Sequence, residues 1–326
     1  MTNGNESSHA GRLARGMAPW IAAVGLGLAS AAAAAPATQI LIDDTKVFPE
    51  SLTSTAAGDL IIGSSGKGAI YRARPGADRA VPWIDPKTSG MVAVLGVFAD
   101  ERSHTLYACS AAFGAPPEKA ADLSALRTFD LATGAAKAAY PMPDGGKSLC
   151  NDIAVARDGS AYVSETLGGR VLRLSKGAAA LEVWAKDARL AGVDGIAIGG
   201  DGSVYVNSVS AGKMFRIAMA SGGAAGAITE LTPSVKLDRP DGLRSIGGAR
   251  FLQAEGGAGR ISEVVISGDQ ATVIPLKTDD PGVTAVTVAR GRVWFVNAKF
   301  AYRSDPALKD KSPEPFTADS VPIPSQ

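Results

Sequence analysis

The stretch GVDGIAIGGDGSVYVNSVSAGKMFRI, residues 192–217, contains two Asp-Gly pairs separated by a short apolar segment. An Asp-Gly pair between two alternating apolar runs is a strong hairpin signal, because glycine adopts the positive φ of a tight turn. Asp201-Gly202 separates GIAI from SVYVNS, so it predicts a turn. Asp194-Gly195 stands in front of the first run with no strand immediately before it, so this pair needs a different explanation.

The pattern around this stretch recurs along the chain. Each copy has an opening polar residue, a short apolar strand, a glycine-containing hairpin, a second strand with an aromatic residue, and a third strand after another glycine. The copies begin near Phe48, Met91, Ser148, Gly192, Arg239 and Gly282. The opening positions Asn151, Asp194 and Asp241 are 43 and 47 residues apart, a spacing typical of propeller blades.

One such unit cannot bury both faces of a small twisted sheet, so several units must pack around an axis. The repeats therefore predict an all-β, six-bladed β-propeller over residues 38–326. The early segment ATQILIDDTKVF should pair with C-terminal strands and close the ring. FGAPPEKAADLSA, at 113–125, is interpreted as an inserted loop or short helix, and the proline-rich tail DPALKDKSPEPFTADSVPIPSQ, at 305–326, as mostly irregular.

The N-terminal segment has the features of a secretory signal. Arg12 and Arg15 precede MAPWIAAVGLGLASAAAAA and then the small-residue motif APA, which predicts a signal peptide over residues 1–37 and a periplasmic or secreted protein with no stable membrane insertion after cleavage. The alternative is an uncleaved anchor, since the apolar run approaches the roughly 20 residues of a spanning helix.

The composition excludes several classes of function. The formal charge is +1, and removal of Glu6, Arg12 and Arg15 leaves a neutral mature chain without the basic footprint of a nucleic-acid-binding protein. The chain has only 2 histidines, so a Ser-His-Asp triad or a histidine-rich zinc site is not expected. The only cysteines, Cys109 and Cys150, open two alternatives: a disulfide between adjacent blades or two buried thiols.

The opening polar residues of the repeats suggest a metal site. The first strand of each propeller blade lines the central channel, so equivalent positions should converge at one end of it. Those positions are occupied by Glu50, Asn151, Asp194 and Asp241, and a divalent cation would relieve the repulsion among the carboxylates. Ligation by oxygen alone favours calcium or magnesium. The alternative is that these residues only form turns before strands.

The motifs FPES, NDIAVARDGSAYVSET, VDGIAI and RPDGL resemble the regucalcin/gluconolactonase family of six-bladed propellers, over roughly residues 45–300. The resemblance implies a calcium-type cation held by Glu50, Asp194 and Asp241, with Asn151 as a ligand or substrate contact and Asp241 as general base. The chain departs from the family at Leu149, where sugar lactonases often have arginine, and at Asp194, where asparagine is common.

Two functions follow from these observations. One is an exported, metal-dependent, lactonase-like hydrolase that acts on a small lactone or ester at the channel mouth. The other is a non-catalytic propeller that binds a ligand or a protein. Glu165 and Glu255 follow second strands and could approach the mouth, but they are interpreted as charged residues on exposed loops, with Arg170 and Arg260 on the blade surface.

Overall fold

The computed structural model describes residues 37–113, 123–308 and 310–323. The predicted signal peptide, apart from its last residue, and most of the predicted insertion at 113–125 lie outside these ranges. Within them, none of the helices has both the length and the apolar character needed to cross a membrane.

The regular secondary structure of the described chain consists almost entirely of short strands, which confirms the all-β class. Two short helices, α1 (Pro86–Ser89) and α2 (Ala301–Ser304), interrupt them. The strands are β1 (Gln39–Ile42), β2 (Pro49–Ser54), β3 (Leu60–Ser64), β4 (Ile70–Ala73), β5 (Arg79–Ile84), β6 (Ala93–Asp100), β7 (Thr105–Ala111), β8 (Ala125–Asp130), β9 (Ala136–Pro141), β10 (Cys150–Val155), β11 (Ala161–Glu165), β12 (Arg170–Leu174), β13 (Glu182–Lys186), β14 (Val193–Ile198), β15 (Val204–Ser208), β16 (Lys213–Met219), β17 (Ala225–Pro233), β18 (Pro240–Gly247), β19 (Arg250–Glu255), β20 (Arg260–Ser267), β21 (Gln270–Lys277), β22 (Val283–Ala289), β23 (Arg292–Asn297) and β24 (Phe316–Pro322).

The described strands form four hydrogen-bonded sheets. Two sheets have four strands, β6 to β9 and β10 to β13. The other two have eight strands, in the orders β2-β3-β4-β5-β1-β24-β23-β22 and β14-β15-β16-β17-β21-β20-β19-β18. Each eight-stranded sheet consists of two antiparallel four-stranded units joined by one parallel pair, β1 with β5 or β17 with β21.

The first strands of the four-stranded units form a ring. β2, β6, β10, β14, β18 and β22 each contact the next, and β22 returns to contact β2. Six hydrophobic clusters lie among the described residues, each joining two neighbouring units; Ile153, for example, packs in the cluster that contains Tyr107, and Leu243 in the one that contains Tyr205. The apolar core is therefore distributed around the ring between the units.

The predicted hairpin turns are present. Asp201-Gly202 lies between β14 and β15, where Gly202 has φ +80° and the Asp201 carboxylate accepts a hydrogen bond from the Ser203 amide. Asp158-Gly159 forms the corresponding turn between β10 and β11, with Gly159 at φ +90°. The left-handed conformation explains the glycine at these positions.

The C-terminal tail differs from its prediction. Part of it forms β24, which lies between β1 and β23 with the pairs Ile40 to Ala318 and Phe295 to Asp319. The prediction of a mostly irregular tail is wrong for this segment, because proline marks only its flanks and Phe316 and Ala318 are fully buried. The pairing of β1 with a C-terminal strand confirms the predicted closure of the last unit.

A disulfide joins two neighbouring units. Cys109 lies in β7 and Cys150 opens β10; the two sulfurs are bonded and the Cα atoms are 5.1 Å apart. This bond confirms the first of the two alternatives for the cysteines. It ties the second unit to the strand that carries Asn151.

We expect replacement of both cysteines, Cys109→Ala with Cys150→Ala, to lower the free energy of unfolding by about 4 kcal/mol, the chain-entropy value for a loop of this length. The measurement is denaturant unfolding of the oxidised wild type and the double variant. Reduced wild type is the control and should unfold like the double variant. Equal stability of all three proteins would contradict a structural role for the bond.

Candidate functional site

Asp194-Gly195, the pair that turn chemistry did not explain, lies inside β14. The pairing of β14 with β15 shifts register between Val193 and Ile196, so this pair forms a bulge. A Cβ added at Gly195 would lie 2.2 Å from the carbonyl oxygen of Asp241. Glycine is therefore required here by the close approach of the next inner strand.

The bulge leaves backbone groups without ladder partners, and buried side chains of the second strands satisfy them. Asn207 accepts a hydrogen bond from the Gly195 amide and donates to the Asp241 carbonyl. Ser164 accepts one from the Asp152 amide in the preceding unit. These contacts fix the bulges, since buried backbone groups are costly to leave unpaired.

All six inner strands have a register shift at the equivalent place. Bulges re-aim side chains, and one residue from each of the six lines a single pocket of about 530 Å³. These ring residues, as we call them below, are Glu50, Leu95, Asn151, Asp194, Asp241 and Thr284. The structure thus brings together the four predicted site residues and adds Leu95 and Thr284.

A small cavity lies at the same ring. It has a volume of about 10 Å³ and is lined by the four predicted residues and Thr284, together with Ser51, Gly96, Asp152, Gly242 and Ala285. Glu50, Asn151 and Asp194 are buried, and Asp241 is partly exposed. The cavity is about the size of one water molecule.

A buried ion pair lines the channel beside the ring. The two terminal nitrogens of Arg244 donate to the two carboxylate oxygens of Asp152 at 2.6 and 3.0 Å. Arg244 also donates to the carbonyls of Leu243 and Val97. The side chains of Arg244 and Asp152 are only 9% and 6% exposed, so this bidentate pair places one fixed positive charge next to the acidic residues.

The acidic ring residues resist ionisation. Burial first, and then the charges of Asp194 and Asp152, raise the pKa of Glu50 well above its ordinary value, while Arg244 lowers it. Burial and then the charges of Asp194, Glu50 and Asp152 raise the pKa of Asp241 well above its ordinary value. Burial and the charge of Asp152 raise the pKa of Asp194, whereas hydrogen bonds with Asn151 and Asp241 lower it; the net result is a pKa of about 7.

Three buried oxygen atoms at the ring have no hydrogen-bond partner: Asn151 Oδ1, Asp194 Oδ1 and Thr284 Oγ1. The amide nitrogen of Asn151 donates to Thr166 at 2.9 Å, so its oxygen is left for another partner. Unpaired buried oxygens together with crowded carboxyl groups are the donor set of a hard cation.

The ring does not have the form of a finished metal centre. Among the described residues, no three Asp, Glu, His or Cys side chains are arranged to hold a metal ion together, and Asp194 and Asp241 share a hydrogen bond. The raised pKa values favour the protonated form of these carboxyl groups. A cation would compete with protons for their oxygens, so the residue types fit a metal.

Glu165 and Glu255 do not lie on exposed loops, and that interpretation is wrong. Both are fully buried and paired with Arg170 and Arg260 at 2.9 and 2.7 Å. Glu165 accepts a hydrogen bond from the Leu149 amide, and Glu255 accepts one from the Asp238 amide. These two hydrogen bonds fix the segments that lead into β10 and β18, the inner strands that carry Asn151 and Asp241.

Sequence reasoning missed four residues of the site. Leu95 and Thr284 occupy the ring position in the second and sixth copies. Aligning these copies with the others could have found them, because a small residue follows each one: Gly96 follows Leu95, and Ala285 follows Thr284. Asp152 and Arg244 were missed because their partnership crosses the channel between residues 92 apart in sequence.

Comparisons with known proteins support the fold. A gluconolactonase-type protein is 15% identical with a TM-score of 0.63, over 88% of this chain and 94% of that chain. A calcium-binding regucalcin from Agrobacterium tumefaciens is 15% identical with a TM-score of 0.60, over 89% and 96%. A virginiamycin B lyase from Staphylococcus aureus is 13% identical with a TM-score of 0.58, over 88% and 98%.

The chain therefore has the β-propeller fold of the regucalcin/gluconolactonase type, which confirms the resemblance in its motifs at the level of fold. No family model matches the sequence, and no curated protein does.

The raised pKa values predict the pH dependence of stability in the presence of a chelator. Carboxyl groups whose folded pKa is raised bind protons more tightly in the folded state, so stability is greatest below their unfolded pKa, near 4, and falls as the pH rises towards 7. We expect Asp194→Asn to flatten the fall in melting temperature between pH 4.5 and 8. Asp43→Asn, at an exposed ion pair, is the control and should keep the wild-type slope.

The buried Arg244–Asp152 pair predicts that replacing Arg244 alone destabilises the protein more than replacing both partners. Arg244→Met should destabilise by about 3–5 kcal/mol, because it leaves the Asp152 carboxylate buried and unpaired. Arg244→Met combined with Asp152→Leu should recover much of that loss, as measured by denaturant unfolding. A double variant less stable than Arg244→Met would show that the pair has another role.

Proposed function

We propose that this chain is a six-bladed β-propeller that binds a divalent cation at its acidic ring and hydrolyses a small lactone or ester there. The ring of six inner strands and the six clusters between neighbouring units support six blades; the two parallel strand pairs then join outer strands of adjacent blades. The observation that carries the function is the convergence of Glu50, Asn151, Asp194 and Asp241 beneath a pocket of about 530 Å³.

The cation is proposed to be calcium. Glu50, Asp194 and Asp241 would hold it with Asn151, and all of these offer oxygen. The regucalcin of similar fold is described as a calcium-binding protein. When bound, a cation polarises a carbonyl oxygen and favours the ionised form of neighbouring carboxyl groups.

Asp241 is proposed as the general base. It is the partly exposed member of the ring, so water can reach it; like the other acidic ring residues, it borders both the cavity and the pocket. It would take a proton from a water molecule as that water attacks the ester carbonyl, and later give the proton to the leaving alkoxide. Asn151 is proposed to contact the substrate, with its amide oriented by Thr166.

Hydrolysis is favoured over lyase chemistry by the histidine content. The virginiamycin B lyase from Staphylococcus aureus is catalytically inactive when one histidine is replaced by alanine. In this chain His9 lies in the predicted leader, and His104 lies in the exposed turn before β7. His104 therefore supplies no base at the ring, whereas carboxyl groups are abundant there.

Export to the periplasm or beyond is part of the proposal. The arginines and apolar run of the leader support it, and so does the Cys109–Cys150 bond, since disulfides persist in oxidising compartments. The mature N-terminus should fall between Ala34 and Thr38, as read by mass spectrometry of the secreted or periplasmic protein. An intact Met1 in a membrane fraction would contradict export.

The function is tested with a panel of aliphatic, sugar and aromatic lactones, assayed with calcium and with chelator. We expect calcium-dependent hydrolysis and a calcium-dependent rise in melting temperature. Asp241→Asn should lower kcat by roughly 10²–10⁴-fold, the contribution of a general base, while keeping part of the calcium effect on melting. Asp241→Ala should lose both.

Asp43→Asn is the matched control and should retain activity and the calcium response. Melting that is indifferent to millimolar calcium and magnesium would contradict the cation site. A calcium response without turnover of any lactone would leave the non-catalytic, ligand-binding propeller as the function.

A further inference from the structure

The pocket above the acidic ring has an apolar wall. Its apolar lining residues come from loops and strands of several units: Leu95, Phe113, Leu149, Val209, Pro281 and Phe300. Phe113 and Phe300 are 45% and 37% exposed, so their side chains contribute apolar surface to the pocket. The wall is thus a hydrophobic surface open to whatever enters the pocket.

The polar groups of the wall are already engaged. The Lys299 ammonium donates to the carbonyls of Pro313 and Pro315 at 2.8 Å each, and the Ser304 hydroxyl donates to the Phe300 carbonyl. The amides of Gly256 and Gly282 donate to backbone carbonyls.

Apart from the ring residues and Lys299, the charged side chain among the described residues that line the pocket is that of Arg239. It is 67% exposed, and its nearest carboxylate, on Asp238, is 3.9 Å away. This position places the guanidinium at the rim, where it is open to water.

The wall is also held rigidly. Leu149 is fixed through its amide by the buried Glu165–Arg170 pair, and the Val209 amide donates to the Gly192 carbonyl at 3.0 Å. Rigid apolar surface discriminates by leaving the hydroxyl groups of a poorly matched ligand without partners.

We infer that the substrate, given the proposed lactone hydrolysis on which this inference rests, is a lactone or ester with a hydrophobic substituent, an alkyl chain or an aryl group, and not a polyhydroxylated sugar lactone. The carbonyl lies at the acidic ring and the substituent packs against Leu149, Val209 and Phe300. A volume of about 530 Å³ leaves room for such a group beyond a five- or six-membered ring.

The test compares matched substrates on the calcium-loaded, full-length mature protein. A δ-lactone with a hexyl chain should have a kcat/KM at least tenfold above that of a polyhydroxylated δ-lactone. Leu149→Asn and Val209→Asn should each reduce that preference roughly tenfold, mainly through KM for the alkyl substrate. Leu167→Asn, at a leucine that is 65% exposed and outside the pocket lining, is the control and should leave the preference unchanged.

Binding of the two corresponding lactams, which are not hydrolysed, separates this inference from the proposed function. The inference is supported if the hexyl lactam binds more tightly than the polyhydroxylated lactam and if Leu149→Asn weakens that binding. This holds even if no lactone is hydrolysed, and in that case only the proposed hydrolysis fails. Equal or better turnover of the polyhydroxylated lactone overturns the inference while hydrolysis stands. If neither lactam binds and neither lactone is hydrolysed, both proposals fail.

Discussion

The rest of the site depends on a charge imbalance at the propeller axis. Glu50, Asp152, Asp194 and Asp241 bring four carboxyl groups to a region where Arg244 supplies the buried positive charge, and Asp152 takes that charge in a bidentate pair. Three carboxyl groups then remain without a cation of their own, in surroundings too poorly solvated to stabilise three negative charges. They must hold protons or share a metal ion. The raised pKa values and the unpaired oxygen atoms at the ring are two consequences of this one constraint.

The imbalance is maintained by backbone geometry. Gly195 and Gly96 follow two of the ring positions, and a Cβ atom added to them would lie 2.2 and 2.3 Å from the next strand's carbonyl oxygen, so the inner strands approach this closely only because these residues are glycine. The bulges that accompany these positions turn the ring side chains into the channel. Buried side chains of the second strands, such as Asn207, satisfy the backbone groups that the bulges leave unpaired. The carboxyl groups therefore cannot relax apart without breaking contacts throughout the ring.

The sequence predicted much of this arrangement but not its balance of charge. Repeat spacing was enough to find Glu50, Asn151, Asp194 and Asp241, because equivalent positions in a closed ring must meet. It could not find the Arg244–Asp152 pair, since no local pattern indicates which residues of different copies meet across the channel. The burial of Glu165 and Glu255 was missed for a similar reason: their arginine partners are five residues away, but only the packed structure shows that water is excluded from both. The tail was misread because its prolines flank a strand whose pairing partners are distant in sequence.

The ring and the wall above it have separate physical roles. The ring is built from inner strands and is fixed by the closure of the fold. The wall comes partly from the segment leading into β10, where Leu149 lies, from the turn after β15, where Val209 lies, and from the turn around Phe300. Side chains there can change without disturbing the axis, because they are partly exposed and their backbone is held by buried pairs such as Glu165 with Arg170. Proteins of this fold include a gluconolactonase-type protein and a lyase, so the fold alone does not determine the chemistry. Under the proposed function, the apolar side chains around the acidic ring would determine which molecules can reach it without losing hydrogen bonds to water.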